Sequence, residues 1–523
     1  MSLGKMFRKI PFFIIAVTAY SVVTAADKPL YETLTADEAK KMFYTADAVK
    51  YNTPFKPNSN PDAQWYPKAG FGLFIHWGIY AQVPLNPSWS MLDNVFGKKR
   101  PAKIAWKDYY ALAEKFDPKD YDPGRWMKMA KSMYMQYAVM TTKHHDGYCM
   151  WPSKYGKYNT GNYMHGRDLV GEYVKACRKE GLKVGFYFSP RDWSYNDHKS
   201  MFRQPAQHFD WLKKPDWPYK TDAENEKAYL KWLDYTVGQL SELLTRYGKI
   251  DVMWFDGVGW QGIQRPQDDL RVRNWIYTIQ PQIVINPRWG GKDINPDYAN
   301  HKGHHSLGGI SRKIGDFYTY ESKWPDIEKR NEGLYADIWF EFCQAWKGHW
   351  GHVPTSDANP NLKSMQTIIY RLTTLRSFGG NYLLNIGPNR DGRNRPDIIS
   401  ESKIISEWMK KAHPALIGND PVKFWEAYSN VPLTMRDKTV YAHVLFYQNK
   451  YKGPVRIRNI DKPESAVILQ TGETIPVEYD ESKRSCIVNL DNKQLDPLKL
   501  GTIIALNFSK KQVFPKTDIP KSK

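Results

Sequence analysis

Short apolar runs that alternate with longer amphipathic stretches constrain the fold of this 523-residue chain more than any other feature. Six such runs are Phe71–Trp77, Tyr137–Lys143, Leu182–Phe188, Ile250–Phe255, Ile283–Asn286 and Tyr382–Ile386. Strands that alternate with helices form a parallel sheet, and this number of units predicts an α/β protein with a (β/α)8-like barrel. An open doubly wound sheet is the alternative, but no GxGxxG or Walker motif supports a nucleotide site.

Two of the amphipathic stretches carry clear helix signals. Residues 222–247 space their apolar side chains for one helical face. Residues 168–180 repeat the pattern, with Asp168 as the capping residue and Gly181 at the end. We therefore expect helices in both places, each following a strand of the barrel.

The sequence changes in character after His413 and Pro414. Five short alternating segments follow among turn residues, with no long helix: Val440–Phe446, Val455–Ile460, Ala466–Leu469, Cys486–Leu490 and Thr502–Leu506. This pattern predicts a small β-sandwich. The expected domains are thus a barrel over residues 26–418 and a C-terminal β-sandwich over residues 419–523.

The N-terminus has the pattern of an export signal. Lys5, Arg8 and Lys9 precede an apolar run from Ile10 to Val23, which is short for a membrane-spanning helix and ends in small residues. We predict that residues 1–25 are a removed signal peptide, so that the protein is secreted or periplasmic. No cysteine follows that could carry a lipid, and no membrane anchor is expected.

Net charge narrows the range of partners. The formal charge is +20, and it falls to +17 without the three cations of residues 1–25. Such a charge favours anionic partners at low salt. Lysine and arginine are spread along the chain rather than gathered in one arm or helix, which argues against nucleic acid. An acidic substrate and a merely basic protein remain the two interpretations.

The predicted strands share one further property, which is that polar residues follow their carboxyl ends. The endings are His76-Trp77, His144-His145-Asp146, Ser189-Pro190-Arg191-Asp192, Asp256-Gly257 and Pro287-Arg288-Trp289. In a barrel these ends meet at one face and form the active site. Asp256 suits a nucleophile or general base, whereas Asp251 begins the same strand and is expected to be a solvated turn residue.

The pair His144 and His145 is the one feature that suggests a metal. Neighbouring strand residues point to opposite faces, and no third ligand has a suitable spacing. No CxxC motif or Cys/His cluster with zinc spacing occurs among the four cysteines. Hydrogen bonds to the hydroxyls of a sugar are therefore the better interpretation, and neither a metal nor a cofactor is expected.

Five motifs together resemble those of the exported α-L-fucosidases of glycoside hydrolase family 29. They are Gly72-Leu-Phe-Ile-His-Trp-Gly78, Lys143-His-His-Asp-Gly147, Val252-Met-Trp-Phe-Asp-Gly257, Asn286-Pro-Arg-Trp289 and Gly380-Asn-Tyr-Leu-Leu-Asn-Ile-Gly-Pro388. The resemblance extends from about Trp65 to Gly418, and it implies a retaining exo-glycosidase that forms a covalent glycosyl-enzyme on terminal α-L-fucose. A structural cap is then the favoured role of the β-sandwich, with a glycan-binding module as the alternative.

The resemblance also implies roles for individual residues. Asp256 matches the nucleophile, and Glu321 is the preferred acid/base, with Glu341 as the second choice. Glu341 is otherwise expected to be structural. The expected sugar-binding residues are His76, Trp89, His144, His145, Tyr187, Trp254, Arg288 and Trp350, the last against the methyl side of the sugar.

One position departs from the family pattern. The segment Asn86-Pro-Ser88-Trp89 carries Ser88 where the family commonly has a glutamate that touches sugar hydroxyls. Loss of a strong acceptor can change the sugar that is accepted. Three alternatives therefore stand beside hydrolysis of a fucose-containing glycan: the same mechanism on an α-L-galactoside, activity on sulfated fucans, and a glycan-binding relative without hydrolysis.

Overall fold

The computed structural model describes residues 28–45, 57–83, 87–91, 94–95, 98–99, 103–195, 222–256, 266–289, 315–321, 339–447 and 453–515. The predicted signal peptide, residues 1–25, lies outside these ranges. Within them, no helix is both long enough and apolar enough to cross a membrane.

Eight parallel strands form the larger part of the molecule. They are β1 (Phe71–Ile75), β2 (Tyr137–Lys143), β3 (Lys183–Phe188), β4 (Val252–Phe255), β5 (Val284–Ile285), β6 (Phe317–Glu321), β7 (Trp339–Ala345) and β8 (Asn381–Ile386). Strands β1 to β5 pair in chain order, β6 to β8 do the same, and β8 returns to pair with β1. The sheet is thus a nearly closed barrel, which confirms the predicted fold class.

The seam between β5 and β6 is joined by one buried carboxylate instead of a strand ladder. The backbone N–H of Asp316 donates to the carbonyl of Ile285 at 2.6 Å, and its Oδ2 accepts from the N–H of Ile285 at 2.7 Å. Gly315 permits this approach, because a Cβ there would lie 2.6 Å from the nitrogen of Pro287. Asp316 therefore stands in for the missing backbone pairing.

Ten helices surround the strands in the described residues. They are α1 (Leu30–Thr33), α2 (Ala36–Thr45), α3 (Trp106–Lys115), α4 (Pro123–Ser132), α5 (Thr160–Tyr163), α6 (Leu169–Lys179), α7 (Asp222–Arg246), α8 (Pro266–Ile279), α9 (Leu362–Ser377) and α10 (Pro396–Ala412). Helices α6 and α7 are the two predicted ones. Asp168 caps α6 by accepting from the N–H of Gly171 at 2.8 Å.

Antiparallel strands form the C-terminal part. They are β9 (Asp420–Pro421), β10 (Leu433–Arg436), β11 (Thr439–Leu445), β12 (Val455–Arg458), β13 (Ser465–Ile468), β14 (Thr474–Ile475), β15 (Glu478–Asp480), β16 (Ser485–Val488) and β17 (Gly501–Asn507). A six-stranded sheet (β9-β10-β11-β17-β13-β14) and a three-stranded sheet (β12-β16-β15) share one apolar core. Each of the five segments predicted from the sequence contains one of these strands.

The C-terminal sheets pack on the helices that close the barrel. Trp408 of α10 donates its indole N–H to the carbonyl of Gly501 at 2.8 Å. Thr434 donates its hydroxyl to the carbonyl of Ala415, just after α10, at 2.6 Å. These polar contacts lie among apolar side chains from α9, α10 and β17 that belong to the barrel core. The β-sheet part is thus attached to the barrel through α9 and α10.

Candidate active site

Asp256 lies at the carboxyl end of β4, where one donor reaches each of its two oxygens and the ring of His145 lies nearby. The Tyr187 hydroxyl donates to Oδ2 at 2.8 Å, and Nε2 of His145 lies 3.5 Å from the same oxygen. The Arg288 guanidinium binds Oδ1 at 2.9 Å. The side chain keeps 16% of its surface exposed. Asp256 is therefore a largely buried carboxylate that accepts hydrogen bonds from protein donors and keeps a small exposed surface at the barrel mouth.

Arg288 connects Asp256 to a second carboxylate. It lies in the turn Pro287–Trp289 after β5, and its other terminal nitrogen binds Glu321 Oε2 at 2.7 Å. Glu321 is the last residue of β6 and is 28% exposed. Burial lowers the pKa of Arg288, but the charges of Asp256 and Glu321 outweigh this and hold the pKa above its usual value. One guanidinium thus holds both predicted catalytic carboxylates.

Three buried imidazoles line the same side of the barrel mouth, and each has Nδ1 fixed by a side chain. Nδ1 of His76 contacts the amide oxygen of Asn385 at 2.7 Å, and that of His145 contacts the Ser189 hydroxyl at 2.7 Å. Since an amide oxygen only accepts, Nδ1 of His76 carries the proton and its Nε2 is an acceptor. Burial lowers the pKa of His76 to about 4. The ring is therefore neutral near pH 7.

Aromatic rings form a continuous wall around these polar groups. Tyr187 stacks on His144 at 5.4 Å and on Trp254 at 5.5 Å between ring centroids. Trp350 lies 4.9 Å from the ring of His76, and Trp89 meets His145 edge-on at 5.2 Å. All ten predicted site residues therefore lie in one connected cluster at the barrel mouth.

Glu341 lies inside the barrel instead. Its Oε2 accepts from the hydroxyls of Tyr66 at 2.9 Å and Tyr137 at 2.6 Å, and Oε1 accepts from the indole N–H of Trp254 at 2.9 Å. The side chain is fully buried, and burial raises the pKa of its carboxyl against these three bonds. Glu341 therefore supports Trp254 from below.

Ser88 is fully buried and belongs to a hydrogen-bond chain that reaches His144. Its hydroxyl lies 2.5 Å from Nδ1 of His144 and 3.1 Å from Oδ2 of Asp146. Tyr109 also donates to that oxygen, at 2.6 Å. Burial raises the pKa of Asp146 to about 6, which these bonds only partly offset. In this chain, position 88 thus orients the imidazole of His144, one of the predicted sugar-binding residues.

Sequence reasoning missed residues that orient others. Asn385 fixes His76 and also donates to the carbonyl of Trp350 at 2.9 Å, so one amide places two predicted binding residues. Its signal is a polar residue inside the otherwise apolar strand β8. The expectation that Asp251 is solvated was wrong: it is buried and accepts from the N–H of Val184 at 2.8 Å. In the described ranges, no three His, Cys, Asp or Glu side chains are grouped to hold a metal.

Comparison with known proteins bears directly on this cluster. A family model for α-L-fucosidases matches residues 40–413, which include all ten predicted site residues. The chain belongs to the α-L-fucosidase family. This confirms the resemblance to glycoside hydrolase family 29 and the predicted enzyme class.

Relatives of this α-L-fucosidase family member align over most of its length. Rat tissue α-L-fucosidase is 27% identical over 425 residues, which cover 76% of this chain and 80% of the relative. The solved α-L-fucosidase isoenzyme 1 of Paenibacillus thiaminolyticus is 29% identical and covers 86% of this chain and 98% of its own, with a TM-score of 0.67.

A third relative bears on the chemistry. A family 29 α-L-fucosidase from Bacteroides thetaiotaomicron has been solved as a trapped covalent intermediate with 2-fluoro-fucosyl fluoride. It is 27% identical, covers 88% of this chain and 99% of its own, and has a TM-score of 0.67. That relative forms a covalent bond to the sugar, as a retaining glycosidase does.

Proposed function

We propose that this protein is a secreted, retaining exo-α-L-fucosidase that removes terminal α-L-fucose from glycans, with Asp256 as nucleophile and Glu321 as acid/base. One observation carries the assignment: Asp256 and Glu321 end two strands of the barrel and bind opposite nitrogens of Arg288. Retaining glycosidases need two carboxyl groups about 5–5.5 Å apart. A pair held by one guanidinium is compatible with that spacing.

The proposed reaction has two steps. An oxygen of Asp256 forms a bond to the anomeric carbon while the bond from that carbon to the leaving oxygen breaks, and Glu321 gives this oxygen its proton. Glu321 then takes a proton from water, whose oxygen attacks the anomeric carbon and displaces Asp256. Tyr187 and Arg288, which already donate to Asp256, hold the attacking oxygens in place.

The neutral imidazoles and the aromatic wall form the proposed binding surface for the sugar. Nε2 of His76 accepts a hydrogen bond from one hydroxyl of the sugar, and His144 and His145 contact neighbouring sugar hydroxyls. Trp350, beside Phe74 and His76, offers an apolar face that suits the methyl group of fucose. An acceptor-rich side and an apolar side together match a deoxy sugar.

A second candidate sugar has its own supporting observation. Ser88 has no carboxylate, and its hydroxyl is bonded to His144 and Asp146. This position therefore does not supply the strong acceptor for sugar hydroxyls that a glutamate would supply. A site without that acceptor would discriminate less against an α-L-galactoside, which differs from fucose by a hydroxyl on the methyl carbon. Trp350 favours the methyl group, and fucose is therefore the preferred substrate.

The test compares aryl α-L-fucoside and aryl α-L-galactoside, with Asp256→Ala as the inactive variant. We expect faster turnover of the fucoside and its loss in Asp256→Ala. Preference for the galactoside would assign the second sugar, and no turnover of either by the wild type would favour a glycan-binding relative. Glu321→Ala should slow substrates with poor leaving groups far more than activated ones, whereas Glu481→Ala, on an exposed turn, should change neither.

Secretion rests on residues 1–25, with their basic start and apolar run. Expression with and without these residues in a host with an export pathway tests it. The full chain should be recovered outside the cytoplasm, with a mature N-terminus at residue 26. A protein that keeps residues 1–25 in the cytoplasm would contradict the proposal.

A further inference from the structure

The loop after β3 carries a cation that the proposed reaction does not use. Its backbone is fixed on both sides of Arg191. The Ser189 hydroxyl donates to the carbonyl of Arg191 at 2.8 Å, and the N–H of Trp193 donates to the carbonyl of His145 at 2.7 Å. Asp192 is buried against Lys143 at 3.4 Å. The loop therefore presents Arg191 at a defined position beside His145.

Within the described part of the chain, the guanidinium of Arg191 has a hydrogen-bond donor without an acceptor. Its Nε is buried and has no acceptor among the described residues. Among those same residues, the Arg191 side chain also forms no ion pair. Burial lowers the pKa of Arg191 to about 10, and the charge of Asp256 opposes this shift. Because the Arg191 loop is bonded to His145, whose Nε2 lies 3.5 Å from Asp256 Oδ2, this cation belongs to the Asp256 side of the barrel mouth. No hydrogen bond or ion pair joins Arg191 to Asp256 within the described residues, where Arg288 and Tyr187 are the donors to that carboxylate.

We infer that Arg191 forms an anion subsite beside the sugar site, which takes an oxyanion substituent of the substrate. The inference rests on the proposed function, and it names the substrate class as a fucosyl glycan that carries a sulfate ester or adjoins a uronic acid. A guanidinium presents paired N–H donors that match the oxygens of sulfate and carboxylate. The charge of +17 on the trimmed chain would draw such a polyanion to the protein.

The test measures a ratio of specificities. The substrates are an unsulfated fucosyl disaccharide, the same disaccharide sulfated on fucose, and fucose linked to glucuronic acid. Arg191→Gln should lower kcat/KM for one anionic substrate, relative to the neutral one, by about 10- to 100-fold, the range for a lost charged hydrogen bond. Arg191→Lys should retain part of the preference. Arg456→Gln, exposed on β12, removes the same charge and should leave the ratio unchanged.

The outcomes separate the two proposals. The substrate whose ratio falls identifies the source of the oxyanion. A ratio that Arg191→Gln leaves unchanged, whether both rates fall together or neither does, overturns the subsite. Binding of fucose sulfate, fucose and glucuronate by calorimetry gives the same comparison without turnover. A wild type that binds fucose sulfate through Arg191 but hydrolyses nothing would contradict the proposed function and keep the subsite.

Discussion

Replacement of Glu341 tests whether this buried carboxylate is structural or takes part in catalysis. Its three donors, Tyr66, Tyr137 and Trp254, are all buried in the barrel core. Glu341→Ala leaves all three unsatisfied, at about 1–3 kcal/mol each, so the free energy of unfolding should fall by about 3–9 kcal/mol. We expect this variant to be recovered poorly or not at all.

Glu341→Gln is the informative change. The amide oxygen can keep the bond to Trp254, while the amide N–H groups face the two tyrosine hydroxyls, which can rotate to accept. The charged acceptor is lost and the two hydroxyl protons must turn to other acceptors, so the expected cost is about 1–3 kcal/mol, below that of Glu341→Ala. Trp254 stays in place, and turnover of aryl fucosides should keep its dependence on the leaving group.

The assay combines thermal unfolding with kinetics on a series of aryl fucosides, and Glu321→Gln is the matched variant. Glu321→Gln should unfold like the wild type and lose activity selectively on poor leaving groups. The reverse result would refute the reasoning. In that case Glu341→Gln would be as stable as the wild type, would lose activity selectively on substrates with poor leaving groups, and would regain activity when azide is added. Glu341 would then be the acid/base.

Three further predictions concern pH, the barrel seam and Ser88. The pKa of His76 is about 4 in the folded protein and 6.5 for an ordinary histidine, so protonation favours the unfolded chain. The free energy of unfolding should therefore fall by about 3 kcal/mol as the pH drops from 6.5 toward 4, and His76→Gln should lack this fall when acid unfolding is measured. Asp316→Ala should lower the free energy of unfolding by about 3–5 kcal/mol, measured with denaturant, because the N–H groups of Ile285 and Asn58 and the hydroxyl of Tyr277 all lose their acceptor. Ser88→Ala should raise KM for aryl fucoside about 2- to 10-fold through a loosened His144, and Ser88→Thr should restore it; an unchanged KM would contradict the role of Ser88.

Strands β1 to β5 and β8 could be predicted because each contains a largely apolar run, although β2 ends in the buried polar residues Thr141–Lys143. Strands β6 and β7 were missed because a polar residue within each, Thr319 and Glu341, interrupts the apolar run. Glu341 interrupts the apolar pattern of β7, yet it is satisfied by tyrosines from distant segments. Asp251 was misjudged for the same reason. A carboxylate looks solvated until its tertiary donors are known.

The grouping of the candidate site residues was predictable because strand ends converge in a barrel. Residue types and their positions could be read from the chain, but the orientation of each side chain could not. Asn385 and Ser189 set the imidazole rings, and both are ordinary polar residues in the sequence. What the chain does not reveal is which hydrogen bond each ring nitrogen makes, and this decides whether it offers the sugar a donor or an acceptor.

The proposed roles of the two carboxylates follow from their different numbers of hydrogen-bond donors and their different exposure. Both bind Arg288, so this cation alone cannot distinguish them. Asp256 also has the Tyr187 hydroxyl and Nε2 of His145 close to Oδ2, whereas Glu321 has no further hydrogen-bond or ion-pair partner among the described residues. A nucleophile must persist as an anion, which several donors favour, and a proton carrier must exchange its proton with the leaving group and with water. Glu321, which is more exposed and has fewer partners, meets the second requirement, and Asp256, which accepts from both Tyr187 and Arg288, meets the first.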